Sequence, residues 1–523
     1  MKIVHPLMQV VAGHSYIIHP HIVGNIEEVL PSGQITPAII LTEDILQHDT
    51  DQITKELKLF EEDDVYNEDF SQAAWKLYPD KLDAFIFGVI PDNVFEPHKF
   101  QTLDLQDGIW KTIAVPSRLY SKPSQERPLA GARTGLKDIF RLAGVQTTMM
   151  SRTYTELYGP ESDSADYVKK LISLGAVIVG KTKMTQFASS DEPTDQWIDF
   201  HCPINPRGDE YQSPSGSSSG AAAALAGYSW LDQSIAGDSA GSVRAPATCN
   251  GLFSMRPSFG CTSMNGIVVN SPLFDVVGLF SRSLANLYGL ADQTLDLPNG
   301  WTKFPSRILY PLDFFPHSNA DHQAMVDEFV SILEKFLGTK RTEFSIAGRW
   351  AQCPPDKAEG KSLKEYLAKS AFWPMCRDYY QGFDDYRAKY KAKYEREAYV
   401  GPVTRYRWGV GMAVSEENYK NYTGELEVFR DWFNKNVFST DPETLSDAIM
   451  IMPYGSARPK YRDDPNEAPS TSHTIGEKFI SPVLHMPQLV LPFGQMPYQS
   501  KVSGRLEHRP IGSTLVGAKD KFN

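Results

Sequence analysis

From Ile113 onward, short continuous apolar runs alternate with helical periodicity, a pattern that predicts α/β architecture. Val168, Leu171 and Ile172 form one face of a helix that Asp163 or Ser164 would cap and Gly175 would end. Ala176-Val177-Ile178-Val179-Gly180 follows as an unbroken apolar strand, suited to a sheet buried on both faces. Ala221 to Ala226 predicts a helix of small residues, and Ser234-Ile235-Ala236 the next strand. Around 296–320 the chain is rich in proline and aromatics and reads as a surface crossing. A helix then places Met325, Phe329, Ile332, Leu333 and Phe336 on one face. Residues 370–420, tyrosine-rich with a basic run from Arg387 to Lys393, read as an exposed helical excursion, with covering a substrate as the alternative role. Gln488–Leu491 and Ser513–Val516 look like late strands returning to the sheet.

The first 120 residues differ in pattern. Ser15–Ile18 and Thr36–Leu41 read as short strands and Phe85–Ile90 as a buried one. The acidic run Glu61-Glu62-Asp63-Asp64 lacks the glycine and spacing of a calcium loop and reads as solvated surface. His14, His19 and His21 cluster in sequence, and alternate positions such as His19 and His21 would share a strand face, but no further ligand cluster sits nearby. The division expected is an accessory α+β region over 1–120 and a main domain over 121–523.

Composition narrows the function. A net charge of −12 argues against a nucleic-acid footprint. No apolar run is long enough to span a bilayer, and Met1 to His21 shows no secretory h-region, so a cytoplasmic location is expected. The five cysteines are scattered with no C-x-x-C spacing, which suggests neither a disulfide framework nor a zinc site.

Two serine-rich stretches carry the candidate chemistry: Ser213-Pro214-Ser215-Gly216-Ser217-Ser218-Ser219-Gly220, then Gly237-Asp238-Ser239-Ala240-Gly241-Ser242-Val243-Arg244-Ala245-Pro246-Ala247. Small residues beside a serine let the backbone approach a reacting carbonyl and turn N–H groups toward an oxyanion. Upstream, Gly135-Leu136-Lys137-Asp138 offers a lysine that could act as base if burial holds it neutral. Gly216–Gly220 matches a nucleophile elbow, but a polar loop precedes it where a strand is required. Gly237–Gly241 matches the serine loop of chymotrypsin-like proteases, whose all-β barrels do not fit this pattern.

Taken in order, Lys137, the Pro-x-Gly-Ser-Ser-x-Gly loop and Asp-x-x-Gly-Ser-x-Arg-x-Pro-Ala resemble the amidase signature family of Ser–Ser–Lys hydrolases. The resemblance runs from about Pro128 to Leu284 and includes Val179-Gly180-Lys181-Thr182, Asn205-Pro206 and Ser254 to Gly260. It implies one mixed, twisted β-sheet surrounded by α-helices. It also implies Lys137 as general base, Ser217 as a bridging serine held by a cis peptide, and Ser242 as nucleophile. The backbone N–H groups of Ser239, Ala240, Gly241 and Ser242 would form the oxyanion hole. Asp238 and Arg244 would buttress the loop, Ser218 would support it, and the carbonyl at Ala188 would lie beside the reaction centre. Asp138 would oppose a depressed lysine pKa if it faced Lys137, so it is expected to point away.

The sequence departs from the family pattern at three places. Ala240 stands where glycine is usual, which would be strained at positive φ. Serine occupies 215 and 219 in place of glycine. An ungapped count back from Ser242 would put the bridging serine at Ser218; keeping Pro214-x-Gly216-Ser217 and Leu225 aligned requires one extra residue and favours Ser217. With its long leading region the chain is similar to fungal members found in secondary metabolism. The function expected is cofactor-free, metal-free cleavage of a small-molecule carboxamide or ester through an acyl-enzyme on Ser242. Such a protein needs no nucleic-acid or membrane partner and could be a homodimer. Two alternatives stand beside it: an acyl transferase using the same acyl-enzyme, and a chain that is catalytically silent or dependent on partners and kept for binding.

Overall fold

The computed structural model describes residues 7–11, 14–18, 58, 63–65, 74–94, 96–297, 302–465 and 468–519. Among these, one mixed sheet of twelve strands organises the chain, flanked by helices. From edge to edge it runs Arg341–Phe344, Arg307–Pro311, Ala448–Pro453, Leu506–Val516, Gln488–Gln499, Phe253–Arg256, Val276–Ser281, Gln233–Asp238, Arg133–Lys137, Val177–Thr182, Phe85–Pro91 and Phe100–Leu103. The central strands Gln233–Asp238, Arg133–Lys137 and Val177–Thr182 are mutually parallel. All six residues of Gln233–Asp238 are buried, as expected of a strand covered on both faces. A smaller sheet joins Leu7–Val11, His14–Ile18, Ala74–Pro79, Trp110–Val115 and Gln106–Asp107.

Several expectations need correction. Phe85–Pro91 and Phe100–Leu103 belong to the large sheet, so residue 120 marks a change of composition but no edge of that sheet. Asp64 is not simply solvated: its carboxylate accepts from the fully buried Arg133 at 2.7 and 2.9 Å and from Arg118 at 3.2 Å. The helix at 166–173 starts after Ala165, without a side-chain cap. Ser164 instead accepts from the Ala143 amide at 3.0 Å. Gly175 does end that helix, at φ +95.

The surface crossing near 296–320 contains the strand Arg307–Pro311. In helix Ala320–Leu337 the buried positions are His322, Val326 and Val330, whereas Ile332 and Phe336 stand exposed, with Phe336 edge-on to Phe304 at 5.1 Å. Thr36–Leu41, His19 and His21 lie outside the described residues. Among the described residues, no helix is long and apolar enough to cross a membrane, and no three His, Cys, Asp or Glu side chains cluster to hold a metal.

Candidate active site

The parallel strands end together, and their C-terminal ends carry the site. Lys137 is the last residue of Arg133–Lys137, and Asp238 the last of Gln233–Asp238. Ser217 and Ser218 immediately precede helix Ser219–Gly227, and Ser242 lies just before helix Arg244–Asn250. Loop–helix–strand–loop topology therefore brings two serine loops, with Ser217 and Ser242 25 residues apart, to one edge.

Lys137 Nζ lies 2.7 Å from Ser217 Oγ and 2.9 Å from Ser218 Oγ, and Ser217 Oγ lies 2.8 Å from Ser242 Oγ. Ser217, not Ser218, bridges the lysine to Ser242, and the Gly216–Ser217 peptide is cis. Ser218 supports the loop through its amide, which donates to the Ser242 carbonyl at 3.2 Å. Burial grades the relay: Lys137 is 1 % exposed and Ser217 0 %, while Ser242 is half-buried and lines a cavity of about 670 Å³ with Ser239, Ala240, Gly241 and Ala188. The outermost hydroxyl is the one a substrate can reach.

Burial pulls the Lys137 pKa down from 10.5 to about 7, against the opposing pull of Asp238 and Asp275. Asp138 turns away from it. Its carboxylate pairs with Lys181 at 3.2 Å and accepts from the Thr148 amide and hydroxyl at 3.0 and 2.6 Å.

Asp238 shapes the Ser239–Ser242 loop. Its carboxylate accepts from the amides of Gly241 at 2.9 Å and Val243 at 3.0 Å, and pairs with Arg244 at 2.9 Å and Arg256 at 3.1 Å. Burial alone would raise this carboxyl, but the two guanidinium groups hold it well below the usual carboxylate range. Of the four amides expected to form the oxyanion hole, that of Gly241 points at Asp238.

Ala240 is not among the positive-φ residues; Gly241 takes the left-handed turn at φ +111. A Cβ on Gly241 would also fall 2.0 Å from the Tyr454 hydroxyl. Gly241→Ala is therefore expected to slow covalent labelling of Ser242 by about 10²-fold, since ångström-scale misplacement costs that much. Rate constants for fluorophosphonate labelling of the two proteins check this, and equal rates would show that the loop tolerates the methyl group. Ser215, where glycine is usual, does sit at φ +63, and Ala188 at φ +55.

Three supporting residues were not singled out from sequence. Arg256 donates to the Asp238 main-chain carbonyl and to Phe274 O at 2.5 and 2.6 Å. Asp275, pushed up to about 6 by burial, accepts from the Asn270 amide at 2.7 Å. Tyr454 lies under the Arg244 guanidinium, 5.2 Å from ring centre to charge. Arg256 lay within the quoted Ser254–Gly260 stretch, but nothing local told of its partner 18 residues away.

Residues 98–297 match the family model described as Amidase. That match takes in Lys137, Ser217 and Ser242. The chain is 35 % identical to Amidase 1 of Oryza sativa subsp. japonica over 193 residues, 37 % of this chain and 43 % of that one. It is 32 % identical to Amidase 1 of Arabidopsis thaliana over 227 residues, 43 % of this chain and 52 % of that protein. The chain thus spans about half the length of these relatives. The crystal structure of an amidase superposes with a TM-score of 0.58 at 21 % identity, covering 75 % of this chain and 82 % of the other. 6-Aminohexanoate cyclic dimer hydrolase superposes at 0.56 with 18 % identity, covering 77 % and 83 %. Both share the amidase fold, a mixed sheet wrapped by helices.

Proposed function

We propose that this chain hydrolyses the C–N bond of a small-molecule carboxamide through an acyl-enzyme on Ser242. The observation that carries the proposal is the unbroken relay from buried Lys137 through Ser217 to the cavity-facing Ser242. The match of residues 98–297 to the amidase family model supports it. With Lys137 neutral, its lone pair accepts the Ser217 proton as Ser217 accepts that of Ser242. Ser242 Oγ then bonds to the carbonyl carbon, and the carbonyl oxygen takes the negative charge against the amides of Ser239, Ala240 and Ser242. Collapse breaks the C–N bond, and the proton held by Lys137 returns through Ser217 to the departing nitrogen. Water, deprotonated by the same relay, attacks the ester and releases the acid. Ser242 is thereby restored.

The sign of the pH dependence follows from the base. Only neutral Lys137 can accept the proton, so kcat/KM is expected to fall about tenfold per pH unit below about 7 and to level off above it. Rates of Ser242 labelling or amide turnover between pH 5 and 9 test this. A profile flat through pH 7 would remove lysine as the base.

A further inference from the structure

The cavity beside Ser242 has a charge character opposite to that of the chain as a whole, whose net charge is −12. Arg407, Arg458, Lys478 and Arg509 line it, along with Lys460. Against these stand two carboxylates, and both are engaged. Glu192 pairs with Lys460 at 2.5 Å and accepts from Ser213 at 3.3 Å. Glu477 accepts from the Gly455 amide at 3.1 Å, and burial pushes its carboxyl up.

Arg509 is the telling member. It sits opposite Met496 in the hairpin of strands Gln488–Gln499 and Leu506–Val516, and it is only 8 % exposed. Among the described residues no carboxylate pairs with its guanidinium and no side-chain or main-chain oxygen accepts from it. Two of the groups that feel its charge are neutral near pH 7. The Cys249 thiol is pushed up by burial despite Arg509, and the His322 imidazole is pushed down to about 4 by burial, by His317 and by Arg509 itself. A guanidinium taken this far from water with no counter-charge is costly, and a fold that keeps one facing a cavity leaves its fork of donors for a ligand. Planar, bidentate pairing with a carboxylate is the contact that fork fits best.

We propose that the cavity takes an amide that also bears a carboxylate, and that Arg509 holds that carboxylate while the amide carbonyl meets Ser242. This deepens the hydrolase reading and rests on it for the identity of the reacting end. Binding and chemistry are separable in the test. The full chain carrying Ser242→Ala, which binds without turnover, is titrated calorimetrically with monoamides of the three- to eight-carbon α,ω-dicarboxylic acids and with the matching neutral diamides. At least one monoamide is expected to bind ten-fold or more tightly than its diamide. Adding Arg509→Gln should abolish that preference, and Arg509→Lys should keep part of it. The proposal is overturned if no monoamide exceeds its diamide, or if the preference survives Arg509→Gln in folded protein. Should Arg509→Gln fail to fold, the monoamide-to-diamide ratio in the unsubstituted cavity and in Arg509→Lys still decides. Fluorophosphonate labelling of the parent chain reads the hydrolase proposal independently: labelling without a carboxylate preference would sink only the Arg509 assignment.

Discussion

Ser242→Ala is expected to abolish amide turnover, by about 10⁴-fold or more, and to eliminate the fluorophosphonate adduct without lowering the melting temperature. The size comes from what is lost. Removing the nucleophile of a serine relay leaves only the catalysis supplied by oxyanion donors and binding. The fold should not notice, because the contact that locks Ser242 in place is its main-chain carbonyl, which accepts from the Ser218 amide at 3.2 Å and survives the substitution. The change removes one oxygen from a half-buried position that opens on the cavity, and it creates no enclosed void. Ser217→Ala provides the comparison. There the nucleophile remains but its path to Lys137 is cut, so labelling should persist at a rate lowered by about 10²–10⁴, the usual worth of general acid–base help. Peptide mapping of the labelled parent decides which serine is which. An adduct on the peptide carrying Ser217 instead of Ser242 would reverse the assignment.

Much of this site was legible in sequence because its parts are local. Lys137, Ser217 and Ser242 each sit in a short stretch whose small residues announce a close backbone approach, and their order along the chain fixes the resemblance. The choice of Ser217 over Ser218 needed an argument about where a loop absorbs an extra residue; in the structure Ser217 Oγ lies between Lys137 Nζ and Ser242 Oγ. What escaped was long-range pairing. Asp64 reads as one acid in a polar run, and only the fold brings it to Arg133, 69 residues on. Periodicity found the helix at 320–337, but its apolar residues outnumber the face that the sheet covers, leaving Ile332 and Phe336 outside. The Gly241 amide was expected to serve the oxyanion because spacing alone does not reveal that Asp238 turns back to accept from it. Arg509 carries no motif at all. Its interest arises only when the hairpin carries it into the cavity wall and leaves it without a counter-ion.

Asp238→Ala is expected to be the most destabilising single substitution in the site, at about 4 kcal/mol or more. Asp238, Arg244 and Arg256 are each fully buried, and one carboxylate serves both guanidinium groups and two loop amides. Breaking a buried pair by deleting one partner typically costs about 3–5 kcal/mol, because the other charge is stranded; here two are stranded. For a chain of this length unfolding as one unit, about 1 kcal/mol corresponds to about 1 °C, so a fall of about 4 °C or more in Tm is the expected reading. Asp238 is held below the usual carboxylate range and stays ionised throughout neutral and mildly acidic conditions. By linkage, a depressed carboxyl contributes its stability above the unfolded-state pKa and loses it only as pH falls through the folded value. The gap between parent and variant should therefore be constant from pH 6 to 8. Asp238→Asn keeps the shape and supplies a second reading. The carboxylate raises the Lys137 pKa, so neutralising it should let the lysine lose its proton more readily. In folded Asp238→Asn protein the acid limb of the labelling rate should then move to lower pH while the rate on the plateau falls. A limb that moves upward would mean that Asp238 reaches the lysine through the loop's geometry more than through its charge.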